Sequence, residues 1–475
     1  MLWLKKHHPE LFDDSVMNQA VLETGLEVGD LAMGLFGNFQ EVPYGDLTEM
    51  MAVTEQLLEE GVENIAEASF SYDGMFCSVD ILRVLHDKNV ELYEVKSSTS
   101  VHEIYYHDVA YQMYVLEQLG FTVEKACLVH LDRSYIRGKE LELDRLFKIE
   151  DLTTEARDMQ REVAERTKAL KECILNPEEP GDDIGPHCSD PYDCGFWHHC
   201  TERLPTPNVF DVASMQKRTK FKYYNQGCIS FEELAAGAKL NEGQRLQICH
   251  ALEKLPDHID RGSISAFLSG LSYPLYFLDF ESFQPAVPLY ENSSPYDQIV
   301  FQYSLHIIDG EGEPLQHREY LAWPGGDPRR KLAEQLCRDI PRGVCTLAYN
   351  MTFEKTRIKE LAGLYPDLAE HLMNIHDHIC DLMVPFQKKQ YYTRAMRGSY
   401  SIKYVLPALF PDDPTLNYHN LEGVHNGTEA SAAFAAMEHM PKEELMACRE
   451  NLLKYCGLDT FAMVKVWEKL KETVR

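Results

Sequence analysis

PLYFLDFES, residues 274–282, is a mostly apolar run broken by Asp279 and Glu281. Residues two apart on an extended strand point to the same face. A segment that otherwise reads as core therefore presents two carboxylates side by side. Acids in such a setting are costly unless a cation or hydrogen-bond donors meet them, so the run marks both a buried strand and a candidate site. Around it the order reads as α/β. QIVFQYSLHIID (298–309) is a second strand, closed by the turn DGEG (309–312), and REYLAW (318–323) is a third. RRKLAEQLCRDI (329–340) is a helix and VCTLAYN (344–350) a buried strand. A helix-rich remainder ends in ENLLKYCGLDTFAMVKVWEKLKE (450–472).

Further acids follow at suggestive spacings. YNMTFEKTRIKEL gives Asn350 and Glu354, and YCGLDT gives Tyr455 and Asp459, four apart and hence on one face of a helix. Asp381, in CDLMVPF, is another acid on the path. Carboxylates from a strand, a second helix and a last helix can converge to hold two cations about 4 Å apart, which stabilise the attacking and leaving oxygens of an in-line displacement. Magnesium or manganese suits all-oxygen ligation, and a tyrosine beside the last acid can position the attacking water.

This pattern resembles the DEDD exonucleases of the RNase H-like fold. Their first motif, D-x-E, is matched by Asp279 and Glu281. The second, usually N-x-x-F-D, is matched by Asn350, Phe353 and Glu354, with Glu in place of Asp. The third, Y-x-x-x-D of the tyrosine subclass, is matched by Tyr455 and Asp459. The resemblance implies 3′–5′ exonuclease chemistry on single-stranded or frayed DNA or RNA. It assigns Asp279, Glu281, Glu354 and Asp459 as metal ligands and Tyr455 as the residue that orients water.

A second constellation lies near the N-terminus. LTEMMAVTEQLLEEG (47–61) is helical, NIAEASF (64–70) and FCSVDILRVL (76–85) are strands joined by SYDG, and VELYEVKSS (90–98) is a third strand. HEIYYHDVAYQMYVLEQLG (102–120) is a helix ending at a glycine, and VEKACLVHLD (123–132) is a further strand. Asp80 sits on the second strand, and Glu94 and Lys96 sit two apart on the third. Two acids and an ammonium so placed suit metal-assisted phosphodiester cleavage, the lysine orienting or activating water. The region resembles the PD-(D/E)XK superfamily, in particular its RecB-like branch and the related CRISPR-associated iron–sulfur exonucleases. Asp80, Glu94 and Lys96 match its core, and Gln112 its following-helix glutamine. The tyrosine expected four residues after that glutamine is Leu116 here, and Glu67 and Glu59 are the candidates for an upstream ligand.

Cys188, Cys194 and Cys200 form C-x5-C-x5-C in a loop rich in Pro, Gly, His and aromatic residues. Clustered thiolates read as a metal or iron–sulfur site, and His187, His198 and His199 offer a zinc alternative. The iron–sulfur branch implies a 4Fe–4S cluster with three cysteines after the nuclease core and a fourth before it, in a Cys-Pro just ahead of a segment like LWLKKHHPE. This chain has Met1 there, so the fourth ligand lies upstream or elsewhere, Cys173 being nearest in sequence.

The 475 residues carry a formal net charge of −30, which argues against a general nucleic-acid coat. Residues 382–411 hold Lys388, Lys389, Arg394, Arg397 and Lys403 and no acid, a local grip for phosphates with aromatic residues for stacking. Thirteen cysteines, a charged N-terminus and apolar runs far short of about 20 residues point to a cytoplasmic chain without a membrane span. The expected architecture is α/β throughout. Residues 1–150 form a restriction-endonuclease-like PD-(D/E)XK core. Residues 151–272 form a helical, cysteine-bearing region completing that module, and residues 273–475 form an RNase H-like domain. The joined arrangement, with SYSIKYVLPALF at 399–410, resembles a bacterial family that couples a RecB-like region to a DEDD-like domain. A metal-dependent nuclease is the leading reading, and a nucleic-acid-binding scaffold with one or both sites inactive is the alternative. Protein partners are not specified by any motif.

Overall fold

The computed structural model describes residues 1–16, 19–181 and 183–475. It is a mixed α/β chain in two compact units: residues 1–202 with 285–297, and residues 203–284 with 298–475. The sequence reading gave all of 151–272 to the first module. Residues 203–272 instead pack with the second unit, because their apolar side chains, such as Ile264, join its core. The excursion 285–297 leaves the second unit's chain and buries Ala286 and Val287 in the first.

The first unit is built on a six-stranded sheet with order β1-β2-β3-β4-β5-β6. Its strands are Gln40–Glu41, Asn64–Tyr72, Met75–His86, Asn89–Lys96, Thr122–Leu131 and Phe147–Asp151 (β1–β6). β2, β3 and β4 form an antiparallel meander, whereas β5 joins β4 in parallel after the crossover helix Glu103–Gln118. That helix drives Val109, Ala110, Met113 and Leu116 into the core, so Leu116 is a packing residue. The edge strands β1 and β6 are short and largely exposed, and the sequence reading had not assigned either.

In the second unit the five-stranded sheet has order β10-β9-β8-β11-β12. Its strands are Leu275–Phe283 (β8), Ile299–Ile308 (β9), Gln316–Leu321 (β10), Cys345–Ala348 (β11) and Ile379–Asp381 (β12). A two-residue ribbon pairs His258–Ile259 (β7) with Tyr391–Tyr392 (β13). β8 runs antiparallel to β9 and parallel to β11. The alternation of β8 explains the site. Tyr276, Leu278 and Phe280 pack beneath the sheet against Leu332, Leu336 and Ile358. Leu275 and Phe277 face the other way, against Leu458, Ala462, Val466 and Trp467 of the C-terminal helix Lys442–Val474. By the same two-residue period, Asp279 and Glu281 face that helix. No helix among the described residues is long and apolar enough to cross a membrane.

Candidate active site

Beside Asp279 and Glu281, the C-terminal helix supplies Tyr455, Cys456 and Asp459. The liganding atoms of Asp279, Glu281 and Cys456 lie within 4.8 Å of one another, the one such three-residue group among the described residues. Glu354 comes from the first turn of the helix Thr352–Leu364 that follows β11, and it is 2% exposed. Asn350 reaches this helix through a left-handed backbone (φ 69°), and its amide donates to Asp381 Oδ1 at 3.0 Å.

Burial raises the proton affinity of all four acids, and at Asp279 and Glu281 the neighbouring acids add to it. Burial pushes Asp279 well above the carboxylate range, and the charges of Asp459, Glu281 and Glu354 push it further. Glu281 is raised by burial, Asp459 and Glu354, with Lys403 opposing. Burial, with help from Asp381, takes Glu354 to about 8. Burial takes Asp459 to about 6, against hydrogen bonding from Tyr418, the charge of Lys403 and hydrogen bonding from Tyr455. One carboxylate oxygen, Glu354 Oε2, is buried with no hydrogen-bond partner. A hard dication fits this set: it would relieve the mutual repulsion and satisfy the orphaned oxygen. Cys456 is a neighbour of a different kind. Burial and the surrounding acids hold its thiol protonated, and Sγ lies 3.9 Å from both Asp279 O and Oδ2. Its soft sulfur is thus disfavoured as a ligand, which leaves an all-oxygen site.

Tyr418 escaped the sequence reading. Its hydroxyl donates to Asp459 Oδ1 at 2.6 Å, and its ring lies 6.0 Å from that of Tyr455. It comes from a short turn 41 residues before Asp459, so no local spacing announces it. The N-terminal end of the helix Gly427–Ala436 also abuts the site: a Cβ at Gly427 would lie 3.7 Å from Glu281 Oε2. Within the basic segment, Lys403 is exposed but is the cation felt by Glu281 and Asp459. Lys388, Arg394 and Arg397 are exposed, as a phosphate grip requires. Lys389 differs from them: it is half-buried and donates one hydrogen bond to the Gly398 carbonyl.

In the first unit, Asp80, Glu94, Lys96 and Gln112 come together with a different balance. Lys96 Nζ lies 2.7 Å from Glu94 Oε1 and 2.8 Å from Asp108 Oδ2. Gln112 donates to Glu94 Oε2 at 2.5 Å, and Asp80 Oδ2 accepts from the Val95 amide at 2.5 Å. Burial works against the Lys96 charge, but Glu94 and Asp108 outweigh it and raise its pKa. Asp80 is raised well above its ordinary value by burial and then by Glu94. Glu67 stands across from Asp80, between the pairs Ala66↔Ile81 and Ala68↔Val79, with a left-handed φ of 57° that interrupts the ladder there. Burial and the Glu94 charge raise its carboxyl too, so it shares the acids' field. Glu59 is exposed on the helix Leu47–Glu59. Asp108 was not singled out, although its place four residues before Gln112 on one helix was a usable signal.

Cys188 and Cys194 are tied by the Cys194 amide donating to the Cys188 carbonyl at 2.9 Å. Burial raises the Cys200 thiol, and Cys188 and Cys194 raise it further, so the three sulfurs share one neighbourhood. The amino group of Met1 opposes that rise, which puts the start of the helix Leu2–His7 at the cysteine loop. Trp3 and Leu4 of this helix pack on Phe196, with Cys173 and Cys194 at the edge of the cluster.

Residues 276–401 match the family described as "Domain of unknown function (DUF2779)". That segment takes in Asp279, Glu281 and Glu354, and it ends before Tyr455 and Asp459. Among curated proteins, the chain is 28% identical over 241 residues to "Uncharacterized protein UU173" of Ureaplasma parvum, covering 46% of this chain and 34% of that protein. It is 26% identical over 209 residues to "Uncharacterized protein MG366" of Mycoplasma genitalium, covering 40% of this chain and 31% of that one. The similarity thus spans about a third of the length of these relatives. No solved structure matches.

Proposed function

We propose that the protein is a metal-dependent nuclease whose principal site is the four-acid cluster of the second unit. The observation that carries this reading is the convergence of Asp279, Glu281, Glu354 and Asp459, all four raised by burial and two of them, Asp279 and Glu281, raised further by the others' charge, around a buried carboxylate oxygen without a partner. Such a cluster is unfavourable alone and favourable around a dication. The resemblance to RNase H-like DEDD exonucleases supports the same assignment. Asp279, Glu281, Glu354 and Asp459 would hold magnesium or manganese, which when bound supplies charge stabilisation for phosphodiester hydrolysis. Tyr455, which hydrogen-bonds Asp459, would orient the attacking water, and Tyr418 fixes the carboxylate of Asp459 by its hydrogen bond. The exposed Lys388, Arg394 and Arg397 lead the phosphate backbone. The reaction is release of mononucleotides from the 3′ end of single-stranded or frayed DNA or RNA.

In the first unit, the Asp80, Glu94, Lys96 and Gln112 arrangement supports a second, RecB-like PD-(D/E)XK site, and the shared neighbourhood of Cys188, Cys194 and Cys200 supports a bound metal or 4Fe–4S cluster. Anaerobic purification tests the latter: a cluster absorbs broadly near about 400 nm, whereas zinc without iron or sulfide contradicts it. The direct test of the principal site is purified protein with manganese against end-labelled DNA and RNA, single- and double-stranded. Metal-dependent 3′ shortening lost in Asp279→Asn supports the reading. Binding without cleavage of every substrate favours a nucleic-acid-binding scaffold.

A further inference from the structure

Away from the acids, the second unit holds a cavity of about 580 Å³, within the size range of small-molecule sites, about 300–1,000 Å³. Its walls are the first turns of the helix Glu242–Glu253 and the segment around Lys388–Gln390, with Gly398 and Tyr400.

Lys389 is the first unusual feature. Its ammonium donates to the Gly398 carbonyl and lies 5.2 and 5.7 Å from the ring centres of Tyr392 and Tyr400. Burial alone pulls it down to about 8, with no acid opposing. Among the described residues it is a partly buried cation without an anion. His250 is the second. It is 4% exposed, its Nδ1 has no hydrogen-bond partner, and its ring meets Tyr392 edge-on at 5.2 Å. Burial holds it below the usual histidine range, so it is neutral, and Nδ1 serves as donor or acceptor according to tautomer. The third is Gln390, whose Oε1 is also buried and without a partner. The helix that forms the wall begins at this cavity, with Asn241 and Gln244 closing a capping box, and its positive end favours an anion. Of the acids on the walls, Asp260 is engaged by Ser263, at 3.0 Å from its amide and 2.7 Å from its hydroxyl, and Glu242 is exposed.

We propose that this cavity binds a phosphate monoester whose organic part carries a hydrogen-bond donor, that is, a mononucleotide. The phosphate meets Lys389, Lys388 and the helix end. A base amino group or sugar hydroxyl donates to Gln390 Oε1, and His250 Nδ1 takes a second polar group. The cavity uses none of the four acids, so binding does not require the dication or the nuclease reading.

Calorimetric titration of the full chain in EDTA tests this, since the cation-free acids repel phosphate. The titrants are inorganic phosphate, the 5′-mononucleotides and the matching nucleosides. At least one mononucleotide is expected to bind about tenfold more tightly than inorganic phosphate, a difference of about 1.4 kcal/mol, with no nucleoside binding. Lys389→Met is expected to weaken the nucleotide about tenfold or more. Gln390→Met, which leaves Lys389 in place, is expected to reduce the nucleotide to the affinity of inorganic phosphate. A nucleoside that binds as tightly as its nucleotide would overturn the proposal. So would equal affinity for phosphate and nucleotide, nucleotide binding untouched by both folded variants, or no binding of any mononucleotide.

Discussion

Glu94 meets Lys96 at 2.7 Å and Gln112 at 2.5 Å, whereas Glu281 feels Asp459 and Glu354, with Lys403 alone opposing them. Both clusters place acids on the inner strands of a sheet, but the first unit carries its own cation inside the cluster and the second does not. In the first, Lys96 bridges Glu94 and Asp108, and Asp80 is left as the strained acid. In the second, burial raises all four acids, repulsion from the others raises Asp279 and Glu281 further, and one oxygen of Glu354 is without a partner. On the proposed reading, such a difference separates a cluster that carries part of its counter-charge in Lys96 from one that would draw its counter-charge from an external dication.

The largest expected effect is on activity. Asp279→Ala and Asp459→Asn should reduce mononucleotide release from a 3′ end by about 10³-fold or more, the loss of a transition-state stabiliser being about 10²–10³ in itself. Lys96→Ala should leave that release intact, as end-labelled substrates on gels will show. If Lys96→Ala abolishes it instead, the activity belongs to the first unit. Tyr455→Phe keeps the acids and removes one hydroxyl, for an expected slowing of about 10–1000-fold in single-turnover rates. Glu354→Asp should retain activity, as the resembling motif has Asp there, and Glu354→Ala should not.

Stability should respond with opposite signs. Lys96→Met leaves Glu94 and Asp108 without their cation. It should cost about 1–3 kcal/mol, less than a fully buried pair because Lys96 is 25% exposed. Asp279→Asn without metal relieves repulsion and should stabilise by roughly 1 kcal/mol, the scale of one pK unit. Chemical denaturation in EDTA reads both, and the same sign for the two would break the contrast.

The pH dependence follows from the raised acids. Glu354 rises from 4.5 to about 8 and Asp459 from 3.8 to about 6, so the folded state holds protons that the unfolded state releases. Their contribution is full below the ordinary carboxylate values and is lost as pH rises through about 8. Metal-free Tm should therefore fall between about pH 5 and 8.5, manganese should reverse the fall, and Glu354→Gln should flatten its upper part, near pH 8, as Asp459→Asn flattens the part near pH 6. Asp80 adds to the same slope and should persist in those variants. The smallest effect is expected from the basic segment. Lys388, Arg394 and Arg397 to Ala should weaken nucleic-acid binding a few-fold and reduce the salt slope by up to about one unit per lost phosphate contact, seen by fluorescence anisotropy.

Much of this was legible in the sequence where chemistry is local. Two acids two apart in an apolar run placed Asp279 and Glu281 on one face of a strand, and the spacing of Tyr455 and Asp459 placed them together on a helix. The meander β2–β4 and the helix Glu103–Gln118 were readable from alternation and turns. The short edge strands β1, β6 and β12 carry too few residues to show a period. Tyr418 and Asp459 meet only through tertiary packing, and Lys389 is removed from the surface by Tyr392 and Tyr400, which charge counting along the chain does not register. The boundary at residue 202 also depends on which core the later helices join.

The most direct test of the dication centre is calorimetric titration of metal-free protein with manganese near pH 7, in two buffers of different ionisation enthalpy. The account predicts binding that releases protons, because Glu354 and its neighbours must ionise, and predicts loss of that binding in Asp279→Asn and Asp459→Asn but not in Asp80→Asn. Manganese binding of undiminished affinity in both C-terminal variants, or binding without proton release, would contradict it.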